Sequence, residues 1–249
     1  MGSVRDGKMT LHLIGIGLSD EKDISVRGLE TIKKCSKIYL ESYTSLMQAS
    51  KEQLEKFYGK KIILANRQQT ENNMQQILDE AKKEEIALLI IGDVFSATTH
   101  INYSIECKKQ NIPLNIIHNA SVLTAVGEIG LELYKYGKVT SVPFADSTTP
   151  ITVIESNKQN NLHTLVLLDL DTEKKKFITI AEAIERLNIA QNETIVGCAR
   201  IGCNDARIVA CNKEEMRKTD FGNPPYCIVI PAPKLHFVEE EALQLWKTT

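Results

Sequence analysis

Asp93 follows the apolar run Ala87–Ile91 and Gly92, and precedes Val94-Phe95-Ser96-Ala97-Thr98-Thr99. A carboxylate at the end of a buried strand stands where open α/β sheets hold small molecules, and it can equally serve there as a helix cap. The small and hydroxyl side chains after it make a roomy wall without charge, which disfavours a polyphosphate and suits a ligand with an apolar or cationic reacting centre. A second polar segment, His118-Asn119-Ala120-Ser121, follows the apolar run Leu114–Ile117 in the same manner. Asn119 and Ser121 can cap helix amides or leave N–H groups aimed into the same crevice. Gly15-Ile16-Gly17 closes a third run but continues as Leu18-Ser19-Asp20, so it is not a GxGxxG dinucleotide fingerprint. It reads as a tight turn whose glycines let a ligand approach the backbone.

Other chemistries lack their anchors. The chain holds no GxSxG nucleophile elbow and no GKS or GKT phosphate loop. His12, His100, His118, His163 and His236 show neither HxH nor HExxH spacing, so each reads as a surface or hydrogen-bonded core histidine. Cys35, Cys107, Cys198, Cys203, Cys211 and Cys227 form no CxxC pair, and the local trio Cys198, Cys203 and Cys211 has no nearby histidine. They read as free thiols of a reducing cytoplasm, and no metal is expected.

These segments need a scaffold. With 249 residues, 43% of them hydrophobic and 25% charged, the chain has an ordinary globular composition and is long enough for two domains of roughly 100 to 130 residues. A formal charge of −2 supplies no general attraction for nucleic acid or anionic lipid. The longest apolar runs are strand-sized, far short of the ~20 residues of a membrane-spanning helix. Residues 1–8 are charged, precede a second methionine, Met9, and are read as a leader outside the fold.

The first half alternates strand and helix patterns: strands at Leu11–Ile16, Lys37–Leu40, Lys61–Leu64, Ala87–Ile91 and Leu114–Ile117, with helices near Val26–Lys34, Lys51–Phe57 and Thr70–Lys83. In the last helix Met74, Ile77, Leu78 and Ala81 fall on one stripe. The continuous apolar runs Ala87–Ile91 and Leu114–Ile117 predict central strands covered on both faces. The proline-bearing segment Pro143–Pro150 predicts a link between an N-terminal domain, 9–143, and a C-terminal domain, 151–249. Beyond it the pattern predicts strands at Thr164–Leu170, Thr194–Ala199, Arg207–Cys211 and Tyr226–Ile230, with helices at Ile180–Leu187 and Val238–Trp246. Strands 194–199 and 207–211 have no helix between them, which implies antiparallel pairing and a mixed sheet. Glu173-Lys174-Lys175-Lys176 reads as a solvated loop, and Glu239-Glu240-Glu241 as a helix N-terminal turn complementing the dipole.

Several ordered motifs resemble the diphthine synthases. They are Leu13-Ile14-Gly15-Ile16-Gly17-Leu18 with Asp20-Glu21-Lys22-Asp23-Ile24-Ser25, then Glu41-Ser42-Tyr43-Thr44-Ser45, and Gly92-Asp93-Val94-Phe95-Ser96-Ala97-Thr98-Thr99-His100. His118-Asn119-Ala120-Ser121-Val122, Leu162-His163-Thr164-Leu165-Val166-Leu167-Leu168-Asp169 and Gly197-Cys198-Ala199-Arg200-Ile201-Gly202 continue the likeness, which runs from Met9 to the C-terminus. The resemblance implies a two-domain α/β fold of the tetrapyrrole-methylase type, with a mostly parallel N-terminal sheet and a mixed C-terminal sheet. It further implies a cytoplasmic homodimer that binds S-adenosylmethionine between its domains and releases S-adenosylhomocysteine.

The implied substrate is the modified histidine of translation elongation factor 2, methylated towards diphthamide. Archaeal members form the trimethylammonium product, and eukaryotic members add a methyl ester. The Glu41–Ser45 run and the Asp20–Ile24 opening resemble the eukaryotic members. Family cofactor positions carry over to Leu18, Asp93, Ser96, Ser121, Val122, Leu168, Ile201 and Tyr226. Val94 replaces the usual proline, Ser96 a common glycine and Tyr226 a common histidine. The resemblance assigns no catalytic base, although His100, Asp169 and Asp171 are available to accept a proton. A tetrapyrrole or precorrin methyltransferase and a non-catalytic elongation-factor adaptor are the alternative readings.

Overall fold

The computed structural model describes residues 9–41, 45–65 and 74–247. The leader reading of residues 1–8, the motif residues 42–44 and the expected helical turn at 70–73 lie outside the described residues. The chain divides into two compact units, Met1–Ser121 and Val122–Thr249.

In the first unit the strands are β1 (Leu11–Gly15), β2 (Lys37–Glu41), β3 (Ile63–Ala65), β4 (Ile86–Ile90) and β5 (Leu114–Ile117), parallel throughout and ordered β3-β2-β4-β1-β5. Helices α1 (Val26–Lys34), α2 (Lys51–Tyr58), α3 (Met74–Ala81) and α4 (Ile101–Lys109) connect them. Local chemistry sets their ends. The Ser25 side chain accepts from the Gly28 N–H to open α1, Ser50 and Gln53 form a reciprocal capping box on α2, and Gly59 closes α2 at φ 69°.

Every residue of β1 and β4 is buried because successive side chains enter opposite layers. Leu11, Leu13, Leu88 and Ile90 join Ile77, Leu78 and Ala81 of α3, while Ile14, Ala87 and Leu89 join Ile32 and Leu54. The predicted stripe of α3 therefore faces the core. The order β4-β1-β5 brings the carboxyl ends of three strands side by side, which is what gathers the three polar segments. One expectation fails: among the described residues β5 is an edge strand. Leu114 and Ile116 pack into one layer and Ile117 into the other, so the run is apolar from cover on both faces without a second strand neighbour.

The second unit is built on β6 (Thr140–Val142), β7 (Thr164–Leu168), β10 (Ile195–Ala199), β11 (Arg207–Cys211) and β12 (Tyr226–Ile230), ordered β11-β10-β12-β7-β6, with a small hairpin of β8 (Leu170–Asp171) and β9 (Lys176–Phe177). All neighbours in the larger sheet are antiparallel except β6 and β7, so this sheet is mixed as predicted. Helices α5 (Val122–Ala125), α6 (Thr149–Gln159), α7 (Ile180–Arg186), α8 (Lys213–Lys218) and α9 (Phe237–Gln244) accompany it.

The boundary at Ser121/Val122 precedes the one expected at 143–151. Thr140–Val142 pairs with Val166–Leu168 and so belongs to the second sheet. Pro150 sits in the first turn of α6, where its missing N–H costs no helical bond. The proline marks a helix start there.

Candidate functional site

Asp93 organises the loops at the carboxyl end of the first sheet. Its Oδ1 accepts from the Phe95 N–H at 3.1 Å and from the Ser96 hydroxyl at 3.4 Å. Its Oδ2 accepts from His118 Nδ1 at 2.8 Å and from the Asn119 N–H at 3.1 Å. Burial pushes this carboxyl up, but the bonds from Phe95, Asn119 and His118 outweigh it, so its pKa falls below the usual carboxylate value. Asp93 is thus held as an anion while joining the loop after β4 to the loop after β5.

Asn119 adds the third loop. Its side-chain amide donates to the carbonyls of Gly15 and Asp23, both at 3.0 Å, and its oxygen accepts from the Ala120 N–H at 2.7 Å. The Asp23 carboxylate accepts from the N–H groups of Leu18 at 3.0 Å and Ser19 at 2.7 Å. Gly17 and Gly92 exchange backbone bonds of 3.3 and 2.7 Å as an isolated antiparallel bridge, at φ 84° and 81°. A side chain at Gly15 would lie 2.7 Å from the Gly92 carbonyl, so this close approach of loops requires glycine. Leu18, Asp93, Ser96 and Ser121 are therefore gathered at one end of the first sheet, and Ser121 is buried.

In the second unit antiparallel pairing does the gathering. Ala199 faces Tyr226 and Leu167 faces Cys227, so Leu168, Ile201 and Tyr226 occupy one end of the sheet. Arg200 shapes that end at φ 51°. Its guanidinium is buried and donates to the Asp205 carboxylate at 2.7 Å, the Asp205 carbonyl at 3.0 Å, the Phe221 carbonyl at 2.9 Å and the Asn223 carbonyl. The Tyr226 hydroxyl donates to the Gly222 carbonyl, and burial raises its pKa. Val122 opens α5 in this unit and packs against a core cluster containing Val126 and Leu165.

Sequence reading names Asn119 at the crevice but misses the organisers Asp23 and Arg200, although both lie inside the quoted motifs. Arg200 carries a local signal, since it adopts φ 51° two residues before Gly202 at φ 86°, whereas Asp23 is recruited across a loop by the Leu18 and Ser19 amides. The other carboxylates named as proton acceptors are placed elsewhere in the bonding scheme. Asp169 accepts from the Phe144 N–H at 3.3 Å, and Asp171 accepts from the Lys174 N–H and ammonium in the β8–β9 turn. His100 is buried beside Glu41, with its pKa lowered by burial. Among the described residues no helix is long and apolar enough to cross a membrane.

This architecture matches known proteins. The sequence profile of the tetrapyrrole (corrin/porphyrin) methylases matches residues 10–217, and the chain belongs to that family, which makes it a methyltransferase. It is 37% identical to the diphthine methyl ester synthase of Homo sapiens, over 95% of this chain and 94% of the relative. It is 44% identical to the diphthine synthase of Methanocorpusculum labreanum, over 94% of this chain and 97% of the relative. A crystal structure of diphthine synthase superposes with a TM-score of 0.90 at 36% identity, covering 96% of each chain.

Proposed function

We propose that this chain transfers methyl groups from S-adenosylmethionine to the modified histidine of translation elongation factor 2, the methylation step of diphthamide formation. The observation that carries the reading is identity of 37 to 44% with diphthine methyl ester synthases and diphthine synthases along more than nine-tenths of the chain. The cofactor contacts proposed are Leu18, Asp93, Ser96 and Ser121 from the first unit, with Val122, Leu168, Ile201 and Tyr226 from the second. The cytoplasmic location and the homodimer implied by the resemblance belong to the same proposal, and light scattering of the purified protein tests the latter.

The residues fit a cationic donor. The carboxylate of Asp93 is held ionised, and the loops around it present hydroxyls, glycines and backbone carbonyls, with the His118 imidazole as its ring partner and no lysine or arginine bonded to it among the described residues. When bound, the sulfonium supplies an already activated methyl group whose transfer neutralises the cation. What the chain must then supply is placement. Fixed loops that hold donor and acceptor in line can contribute about 7–11 kcal/mol by restricting their approach. The bonds among Asp23, Asp93 and Asn119 provide that rigidity in the first unit, and the Arg200 clamp provides it in the second.

Intact-mass analysis of elongation factor 2 after incubation with enzyme and S-adenosylmethionine tests the proposal. Mass steps of one methyl group on the modified histidine are expected, with the final count separating diphthine from its methyl ester. Absence of transfer to this protein, with methylation of a porphyrinoid in its place, would select the tetrapyrrole reading. Binding of the factor without any methyl transfer would select the adaptor.

A further inference from the structure

We infer that His118 is the general base that removes the proton from the substrate amine. The inference rests on the proposed function, since it concerns an amine methylated at the first sheet's loop cluster. His118 directly follows β5, and its side chain is 65% exposed while its Nδ1 lies 2.8 Å from the carboxylate of Asp93. A carboxylate can only accept, so Nδ1 carries the proton and the neutral ring keeps its lone pair on Nε2. The Phe95 ring meets the imidazole edge to face at 5.9 Å, and the adjoining Asn119 is tied to Gly15 and Asp23. The ring is therefore oriented by a fixed anion, the arrangement by which a carboxylate prepares an imidazole to accept a proton.

The other four histidines are built differently. His12 directs Nε2 to Glu85 at 2.7 Å and meets the Asn115 amide at Nδ1. His163 directs Nε2 to Glu239 at 2.8 Å and accepts the Ala232 N–H at Nδ1. His236 accepts the Val238 N–H at Nδ1 as a helix cap, which puts the proton of its neutral ring on Nε2. His100 is buried. Among the described histidines, His118 alone combines exposure, a carboxylate on Nδ1 and an Nε2 available to a substrate.

The chemistry needs a proton acceptor, and a positioned imidazole accepts faster than water. A methyl transfer to nitrogen forms an N–C bond, breaks the S–C bond and leaves the nitrogen cationic. Before the next transfer one N–H bond must break, its electron pair staying on nitrogen and its proton passing to Nε2. The exposed ring then returns that proton to water. The sequence repeats until the nitrogen carries no hydrogen. Formation of an ester from a carboxylate requires no such step.

The test is single-turnover methyl transfer to elongation factor 2 from pH 6 to 9, with His118→Gln and His118→Ala and with cofactor affinity measured by calorimetry. Asp93 is the titratable side chain bonded to this ring among the described residues, and its carboxyl lies below the usual carboxylate range, so it stays ionised across that window. The expected result is a 10²- to 10⁴-fold slower N-methylation near neutral pH, the usual contribution of a general base. Mono- and dimethylated products should accumulate, cofactor affinity should hold within a few-fold, and added imidazole should restore rate to the alanine variant. N-methylation within about threefold of wild type with an unaltered pH profile would overturn the role, as would a loss that tracks loss of cofactor affinity and ignores imidazole. Failure of the wild-type chain to methylate elongation factor 2 would strike the proposed function itself.

Discussion

The carboxylate of Glu239 accepts a hydrogen bond from Nε2 of His163 at 2.8 Å, with both side chains wholly buried. The same carboxylate accepts from the Lys135 ammonium at 2.5 Å and from the N–H groups of Glu132 and His236 at 3.1 and 2.8 Å. One side chain thus ties α9, the 3₁₀ turn Leu133–Lys135 and the start of β7 together.

This network makes stability depend on pH. Burial pushes the Glu239 carboxyl up, but Lys135, the two amides and His163 more than reverse it and hold its pKa down to about 2. His163 is lowered too, by burial, against the raising effect of Glu239. A group whose pKa falls on folding stabilises the fold above its unfolded value, and that contribution is lost as pH drops through the folded value. The unfolding temperature should therefore be level above about pH 6.5 and fall on acidification, first from His163 and then, below about 4.5, from Glu239. Glu239→Ala, which strands a buried histidine and a half-buried lysine, should cost about 3–5 kcal/mol at neutral pH. Thermal unfolding of wild type and variant from pH 3 to 8 checks both, and a variant as stable as wild type would remove the network's role.

Asp93 gives a prediction on binding. All four of its bonds come from donors, so in Asp93→Asn the new NH₂ group must face either Phe95 and Ser96 or His118 and Asn119; the Ser96 hydroxyl or the other tautomer of His118 can accept from it, but the Phe95 or Asn119 backbone N–H on that side loses its acceptor. The loss should be about 1–3 kcal/mol of stability, with weaker cofactor binding. Asp93→Arg adds bulk and positive charge beside a cationic ligand and should weaken S-adenosylmethionine by well over tenfold. Calorimetry reads it directly, and unchanged affinity in the arginine variant would exclude Asp93 from the site.

The two positive-φ glycines of the Gly17–Gly92 bridge separate strain from contact. A Cβ at Gly92 would meet nothing nearer than 3.8 Å, whereas one at Gly17 would lie 2.4 Å from the Cβ of Asp23. Both alanine variants bear the left-handed backbone cost of about 1–2 kcal/mol. Only Gly17→Ala must also displace Asp23 and with it the Leu18 and Ser19 amides. Cofactor affinity should thus fall much further in Gly17→Ala than in Gly92→Ala, and equal losses would show that Asp23 does not position the first loop.

The strands and their polar ends were readable because burial on both faces writes an uninterrupted apolar run. That same rule misplaced β5, since cover by helices leaves no mark of whether a strand has one neighbour or two. Pro150 misled for a related reason: a proline in a Ser/Thr-rich segment reads alike whether the segment links two domains or opens a helix. Glu239 read only as a first-turn carboxylate complementing the helix dipole because its partners His163 and Lys135 lie 76 and 104 positions away. Spacing within a motif cannot show such pairings. For the candidate site, the turns and hydroxyl loops were legible as local motifs. The orientation of His118 required the contact with Asp93, 25 residues earlier in the chain.

Arg200 yields the last prediction. Its backbone N–H donates to the Pro225 carbonyl at 2.9 Å, and its planar fork spans Asp205 on one side and Phe221 and Asn223 on the other. Ile201 follows it directly and Tyr226 follows Pro225, so the fork sets the spacing of both proposed contacts. Lysine offers a point charge at the end of a flexible stem and cannot bridge these acceptors simultaneously. Arg200→Lys should therefore keep the charge yet loosen both loops, raising KM for S-adenosylmethionine at least tenfold while kcat at saturation changes by less than threefold. Loss of a charged hydrogen bond should also cost about 1.5–3 kcal/mol. A variant with lower kcat and unchanged KM would show that Arg200 acts on the transferring group itself, and one with neither change would show that the fork does not govern the position of Ile201 and Tyr226.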